Sequence, residues 1–356
     1  MDDEISGETA PRRRAPLAVD LSILAIIGVL LIAALGAGAA ALYREFYSPS
    51  AFVLRYLSLL ENGRAADALV MPGVDLDGGA LAAAGLPATA SPALLRETAL
   101  GRLRDATIVS EGQDGGDTVV TAHYIAGSYE GTTTFRIAPD GFIGVAPAWR
   151  FAQSPLAAID VGVLGSMSFT VNGFTLDKRQ VSPAGAGAVP GDPVSLLVFS
   201  PGLYSVFVDT AMSRSPGVAV LADSPAKTVP VDVQAQPTEE FVSVVQQRVE
   251  AFLTACTTQQ ILQPTGCPFG FVVRNRVETP PKWSIVSQPT ITIVPDGAGW
   301  RIPDAAATAH IELEIRSLYD GSVQQVSEDV PFIVNGQIDV LGDGTASIRV
   351  GGTTPE

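Results

Sequence analysis

His123 and His310 are the two histidines of this 356-residue chain, and they are the side chains best suited to acid–base or metal chemistry near neutral pH. Each ends a Thr-Ala-His triplet, and each is followed by a Tyr-acid-Gly triplet, at residues 129–131 and 319–321. The recurrence has two interpretations. The histidines form one divided catalytic or metal site, or they mark the same position in two related folding units.

The order of the neighbouring motifs favours two related units. Residues 107–110, Thr-Ile-Val-Ser, correspond to residues 284–287, Ser-Ile-Val-Ser, and in both places the Thr-Ala-His triplet comes next. An alternative alignment pairs the Trp-Arg at residues 149–150 with the Trp-Arg at residues 300–301. In either alignment a helical pattern precedes a series of strands. We therefore expect the two histidines to lie at equivalent strand positions and not to share a site.

An enzymatic interpretation of the first unit places Tyr56, His123, Tyr124 and Tyr129 around one concave pocket. His123 would act as general base, and Tyr56, on a preceding helix, would cover the pocket. Adjacent strand residues point to opposite faces, however, so one of His123 and Tyr124 should face the solvent. No carboxylate is obviously paired with His123 in the sequence. We expect no catalytic residue, no metal and no cofactor.

Two short motifs resemble parts of known sites. Residues 224–227, Ser-Pro-Ala-Lys, match the S-x-x-K pattern of penicillin-recognising enzymes, but the companion S-D-N and K-T-G elements are absent from the sequence. Residues 75–78, Asp-Leu-Asp-Gly, resemble a calcium loop that lacks its third acid and its terminal Glu. We interpret the first as a chance match and the second as a turn.

One apolar segment begins at Leu21, ends at Tyr43 and contains no charged residue. A helix of this length crosses a hydrocarbon core of about 30 Å. Arginines at positions 12–14 precede the segment, and only Arg44 follows it closely. The positive-inside rule therefore places residues 1–20 in the cytoplasm and the rest of the chain outside the cell membrane.

Export signals are the alternatives to a membrane anchor. A cleaved signal peptide would use the Ala-Ala-Ala at residues 39–41, but its apolar region would be longer than the usual 7–15 residues. A twin-arginine signal is less consistent with the sequence, because Pro16 and Asp20 follow the arginines.

The two cysteines, Cys256 and Cys267, both follow the apolar segment. An even pair in an oxidising compartment predicts a disulfide bond. A zinc site is disfavoured, because the nearby sequence does not offer the four nitrogen or sulfur ligands that zinc takes.

The overall charge excludes one class of partner. The net charge is −15 and the isoelectric point is near 4.5, whereas a nucleic-acid-binding protein needs a basic face. A hydrophobic content of 47% excludes a wholly disordered chain.

Three folding units are predicted after the span. Residues 48–155 form an α+β unit with a helix capped by Ser48, a second helix at 93–103 and then an antiparallel sheet. Residues 160–235 form a small all-β module. Residues 238–350 form a second α+β unit, which begins with a helix capped by Thr238.

In this last unit, the helix carries an apolar stripe of Phe241, Val244, Val245, Val249, Phe252 and Leu253. The strands are predicted at 271–277, 282–287, 290–296, 299–302, 307–315, 330–334, 337–341 and 346–350.

Residues 60–70, Leu-Glu-Asn-Gly-Arg-Ala-Ala-Asp-Ala-Leu-Val, followed by a helix and a curved antiparallel sheet, resemble the NTF2-like superfamily of cone-shaped α+β domains. One span, an NTF2-like domain, a β-module with a Pro-Gly-x-Tyr turn at 201–204 and a second NTF2-like domain form a layout similar to the teicoplanin-resistance-associated membrane proteins of Gram-positive bacteria. The chain lacks the cysteine-rich zinc ribbon that precedes the span in those proteins. The resemblance implies a cell-envelope protein without known chemistry.

The sequence therefore favours a non-catalytic binding or scaffolding protein of the bacterial cell envelope. It would contact the lipid bilayer through the span, and a cell-wall polymer or another membrane protein through the extracytoplasmic units. The alternative is a small-molecule-binding protein or enzyme that uses an NTF2-like pocket.

Overall fold

The computed structural model describes residues 17–144 and 146–353 as a mixed α+β protein, built mostly of strands with a few helices. Most of the predicted cytoplasmic tail, including the arginines at 12–14, lies outside the described residues. The helices are α1 (Leu17–Leu42), α2 (Pro49–Glu61), α3 (Ala65–Leu69), α4 (Gly78–Ala83), α5 (Lys178–Val181) and α6 (Glu239–Thr257).

Helix α1 is the N-terminal apolar helix, and a π-helical segment at Tyr43–Tyr47 extends it. From residue 21 to residue 38 its apolar side chains are exposed, with Leu24 and Leu35 more than 70% accessible. Within the described part of the chain it is the one helix long and apolar enough to cross a membrane. Such exposure suits a lipid environment, because each apolar side chain would cost about 1.5–3 kcal/mol to leave in water.

Helix α2 begins where the sequence predicts. Ser48 accepts a hydrogen bond from the Ala51 N–H, and Pro49 occupies the first helical position, where its missing N–H is not needed. The predicted second helix at 93–103 is wrong. Two short 3-10 turns, Pro92–Leu94 and Glu97–Ala99, occupy this segment instead.

Contacts with a neighbouring strand explain why no helix forms there. The Ser91 N–H donates to the Ser195 carbonyl, and the Leu197 N–H donates to the Ser91 carbonyl. Leu94 and Ala99 are fully buried in the core of the following β-region. Strand-like pairing at Ser91 and burial in the core of the β-region outweigh the helical propensity of the segment.

The first sheet has four antiparallel strands in the order β1-β2-β3-β4. They are β1 (Leu103–Asp114), β2 (Asp117–Ala126), β3 (Tyr129–Ile143) and β4 (Ala146–Phe151). Helix α2 packs on this sheet through Phe52, Tyr56 and Leu57, which are buried.

The middle region is mostly β, with α5, a 3-10 turn at Gly185–Gly187 and small sheets in the orders β12-β5-β8, β11-β9-β6-β7 and β10-β13. Its strands are β5 (Leu156–Leu164), β6 (Ser168–Val171), β7 (Phe174–Asp177), β8 (Val194–Phe199), β9 (Gly202–Phe207), β10 (Ser213–Arg214), β11 (Val218–Ala222), β12 (Thr228–Gln234) and β13 (Gln236–Pro237). Asn172 and Gly173 join β6 to β7 with φ of 49° and 91°, the left-handed values that a tight hairpin turn requires.

The last region packs α6 against a six-stranded antiparallel sheet. The strands are β14 (Arg276–Val277), β15 (Lys282–Ser287), β16 (Val294–Asp296), β17 (Gly299–Arg316), β18 (Val323–Val340) and β19 (Ala346–Thr353). Strand β17 covers the predicted strands at 299–302 and 307–315, and β18 covers the one at 330–334 and most of the one at 337–341. A bulge between Ile302 and Ala305 allows β17 to continue through Pro303.

Two predicted strands of this region are mostly wrong. Residues 271–275 form no strand, because the Phe271 N–H donates to the Leu262 carbonyl of the cysteine loop instead of a ladder partner. Residues 290–293 form none either, since the Ile291 N–H donates to the Gln246 side chain on α6.

Buried apolar side chains form three clusters along the chain. The first cluster unites α2 and the β1–β4 sheet with Leu156, Ala158, Leu197 and Phe199 of the middle region. The middle region therefore packs directly on the first region.

Candidate functional site

The strand registers place the two histidines at matching positions. Thr107 of β1 pairs with His123 of β2, and Ser284 of β15 pairs with His310 of β17. In both pairs a one-residue bulge follows two residues later on the first strand. The registers agree with the sequence alignment that pairs the two Thr-Ala-His triplets, and they disfavour one divided site.

Each histidine has its own carboxylate on the neighbouring strand. His123 Nε2 lies 2.9 Å from Glu130 Oε1, and His310 Nδ1 lies 2.7 Å from Asp329 Oδ1. The carboxylates are 74% and 62% exposed, so both pairs are open to water. The expectation that His123 lacks a carboxylate partner is therefore wrong. No group of three potential metal ligands occurs among residues 17–144 and 146–353.

The four residues of the predicted first-unit pocket are divided between a filled core and the surface. Tyr56 and Tyr124 are fully buried in the first apolar cluster. His123 lies on the opposite face of β2 from Tyr124, and Tyr129 is 49% exposed at the start of β3. The predicted pocket is not formed by these side chains.

Tyr56 joins the first and middle regions. Its hydroxyl donates to the Ser200 carbonyl at 3.0 Å, and its ring contacts Phe135 and Phe151 edge-on. Burial raises the pKa of Tyr56 well above its ordinary value, so the phenol stays neutral. Its role in the structure is packing and hydrogen bonding.

The two short sequence motifs have structural explanations. Ser224 and Lys227 both bond to Oδ1 of Asp223, in a turn between β11 and β12 that is not a helix start. Asp77 caps α4 by accepting hydrogen bonds from the N–H groups of Gly79 and Ala80.

Sequence reasoning missed Lys178, a lysine that is fully buried at the start of α5. Its ammonium donates to the carbonyls of Val163 at 2.8 Å, Asp192 at 3.0 Å and Pro190. Burial lowers the pKa of Lys178 to about 8, and the carboxylate of Asp192 acts in the opposite direction. Its three donors are all used, so it does not serve a ligand.

A groove with a volume of about 940 Å³ lies between α6 and β19. One wall is the side of α6 that carries Val244, Arg248 and Phe252. The other wall is the inner face of β19, from which Ala346, Ile348 and Val350 line the groove. We call this recess the α6–β19 groove.

The walls run side by side from the middle region to the cysteine loop. At one end the groove is closed by segments 165–168 and 210–213 of the middle region. At the other end, a Cβ on Gly352 would lie 2.5 Å from Pro268 Cβ, so β19 passes close to the cysteine loop there. The α6 wall is about 16 Å long from Phe241 to Phe252, at about 1.5 Å per residue.

The disulfide fixes this second end. Cys256, on the last turn of α6, bonds to Cys267, with the two Cα atoms 5.9 Å apart. The predicted Cys256–Cys267 bond is confirmed. Trp283 of β15 donates its indole N–H to the Ile261 carbonyl inside the closed loop.

Two features of the groove are unpartnered. Arg248 is exposed and makes no hydrogen bond or ion pair to any residue that the structure describes. Among the strands that the structure describes, β19 pairs with β18 alone, so its outer edge presents free backbone groups. The two acidic residues that line the groove already have partners: Asp177 pairs with Arg179, and Asp343 accepts a hydrogen bond from Thr345.

No protein-family model, no curated protein and no solved structure matches this chain. The groove and the N-terminal helix are the features of the molecule that bear on its function.

The groove offers a surface on which a ligand or a protein segment could bind. Its walls are mainly apolar, and a volume of about 940 Å³ lies within the range of ligand sites. His123 and His310 are absent from its lining, and Lys178 is buried beneath backbone carbonyls. The groove provides apolar contact, one free guanidinium and a strand edge.

Proposed function

We propose that this protein is a single-span, membrane-anchored binding or scaffolding protein that is not an enzyme. Helix α1 anchors it in the bacterial cell membrane, with the N-terminus in the cytoplasm and the α+β regions outside. The α6–β19 groove receives a segment of a partner protein. The observation that carries this proposal is the groove itself, an apolar channel beside a free strand edge.

The geometry favours an extended protein segment as the occupant. A strand added to the outer edge of β19 would gain main-chain hydrogen bonds, and its alternate side chains would enter the apolar groove. A length of about 16 Å holds about five extended residues at about 3.3 Å each. Arg248 would pair with an acidic side chain of that segment.

Val244 supports this interpretation. It belongs to the apolar stripe of α6, yet it is 44% exposed and points into the groove, whereas Val245 and Val249 are fully buried on the sheet. An exposed valine beside Phe252 and Ile348 leaves apolar surface that a partner would cover.

Site-specific photo-crosslinking in intact cells tests the proposal. A photoreactive residue at Val244 should give a protein adduct, and a matched residue at Ser243, which is exposed and outside the groove lining, should give at least several-fold less. The added substitution Arg248→Glu should reduce the Val244 adduct by about tenfold, the effect of losing about 1.4 kcal/mol of charge-assisted bonding.

Three outcomes would contradict it. Equal adducts from the two positions would rule out the groove as the binding surface. An adduct that carries only cell-wall polymer would favour a glycan partner. An adduct of a few hundred daltons would favour the second candidate, a small-molecule carrier, for which the groove volume is also sufficient.

A further inference from the structure

Two large apolar residues are exposed at the tip of the β3–β4 hairpin. Phe142 is 76% and Ile143 is 79% accessible. Phe142 pairs with Pro147 and Ile143 pairs with Ala146, so both residues lie beside the turn. Full exposure of two such side chains to water is unfavourable by about 1.5–3 kcal/mol each.

The hairpin lies next to the chain where it leaves the apolar helix. The Trp149 indole of β4 donates to the Tyr47 carbonyl at 2.8 Å. Two residues further along β4, the Phe151 ring lies 5.0 Å from Phe52 and 5.2 Å from Tyr56 on α2. From Trp149 to Phe151, β4 therefore follows the chain away from α1. In the opposite direction β4 leads to the tip, so the tip lies on the α1 side.

The distances bring the tip to the end of the span. The pairing partners of Phe142 and Ile143 precede Trp149 by two and three residues, which is about 7–10 Å of strand. At about 1.5 Å per helical residue, this corresponds to five to seven residues before Tyr47. The tip thus reaches the level of residues 40–42, where the apolar helix ends.

Other side chains at this level fit a membrane interface. Tyr43, Phe46 and Tyr47 are 42%, 53% and 48% exposed just after α1, and aromatic side chains are favoured at the boundary of a bilayer. Asp140, on the hairpin behind the tip, is exposed as well. It precedes Phe142 by two residues on β3, on the side away from the turn, and would face the headgroup water.

We propose that the β3–β4 tip is a second membrane contact, with Phe142 and Ile143 inserted in the lipid interface beside α1. The occupant of this apolar surface is the bilayer that α1 crosses. The tip and the helix together would restrict the tilt of the first region on the membrane. This inference rests on the proposed membrane anchoring by α1.

A fluorescent label tests it in the full chain, reconstituted in nanodiscs of phosphatidylcholine and phosphatidylglycerol. Among the described residues no cysteine is free, so Ile143→Cys supplies the thiol for an environment-sensitive nitrobenzoxadiazole label. Spin-labelled lipid should quench Ile143→Cys at least threefold more than Ser128→Cys. Ser128 is in the turn at the opposite end of β3, about 50 Å of strand away.

A third label separates this inference from the proposed anchoring. Quenching at Tyr43→Cys without quenching at Ile143→Cys would overturn the tip contact and leave the span intact. Absence of quenching at Tyr43→Cys as well would overturn both. The added substitution Phe142→Asn should lower the quenching at Ile143→Cys, and it should leave the thermal midpoint unchanged because Phe142 is exposed.

Discussion

The ammonium of Lys178 is held entirely by backbone carbonyls, which makes it a structural charge in the middle region. Three carbonyls from two separate segments, β5 and the loop before β8, converge on it. A buried acceptor that loses its donor costs about 1–3 kcal/mol, because it has lost water without gaining a partner. Lys178 therefore ties the end of β5 to the loop before β8.

Lys178→Met should lower the free energy of unfolding by about 3 kcal/mol, since it leaves these carbonyls without donors. Lys227→Met is the matched control, because the Lys227 side chain is 54% exposed and its ion pair with Asp223 should contribute less than about 1 kcal/mol. Urea titration of both variants measures the difference. Equal midpoints for the two variants would contradict the assigned role of Lys178.

The sequence predicts the placement of single residues only where a pattern repeats. The two Thr-Ala-His triplets correctly predict equivalent positions for His123 and His310. The Glu130 partner of His123 is seven residues away, and only the hairpin register reveals that the two side chains meet. The burial of Lys178 has no sequence signal, because lysine is almost never found fully buried.

At the scale of elements, the cysteine loop connects the two walls of the groove. Cys256 closes the loop from the end of α6, and Pro268, directly after Cys267, lies beside Gly352 of β19. A loop of this size stabilises a fold by about 3 kcal/mol in the chain-entropy model. The Cys256–Cys267 disulfide therefore holds in position the end of the groove that lies next to the cysteine loop.

Reduction of the Cys256–Cys267 bond should lower the free energy of unfolding of the last region by about 3 kcal/mol. Urea titration with and without reductant, followed by tryptophan fluorescence, measures it, since Trp283 bonds to the closed loop. The double variant Cys256→Ala/Cys267→Ala should show the lower midpoint and no response to reductant. A wild-type midpoint that reductant leaves unchanged would contradict the prediction.

The sequence predicts where α2 and α6 begin, because the capping residues are local. It does not predict which part of the structure covers an apolar segment, because that depends on residues far away in the chain. Ser48 and Thr238 cap α2 and α6 as their sequence context predicts. The segment at 93–103 has helical periodicity, but the middle region buries Leu94 and Ala99, whereas Leu95 and Leu103 are buried in the first apolar cluster. In the same way, Val244 fits the stripe of α6, and only the position of β19 shows that the sheet leaves it uncovered.

At the scale of the whole molecule, the three regions that follow the proposed anchor pack on one another in chain order. Tyr56 and the shared apolar cluster join the first region to the middle region. Trp300 of the last region donates its indole N–H to the Ala235 carbonyl at 3.2 Å, which joins the middle region to the last. Buried contacts therefore join the first region to the middle region and the middle region to the last.

The proposed membrane orientation rests on charge and on redox chemistry. The arginines at 12–14 favour a cytoplasmic N-terminus, and the Cys256–Cys267 bond suggests a non-cytoplasmic last region. Both point to export of everything after α1.

In intact cells that carry the chain with a tag at each end, external protease should remove the C-terminal tag and spare the N-terminal one. Carbonate washing should leave the chain in the membrane fraction, because an apolar span resists extraction whereas a peripheral protein does not. The same protease on broken cells should remove both tags. A C-terminal tag protected in intact cells would reverse the orientation, and recovery of the whole extracytoplasmic part in the culture medium would identify α1 as a cleaved signal instead of an anchor.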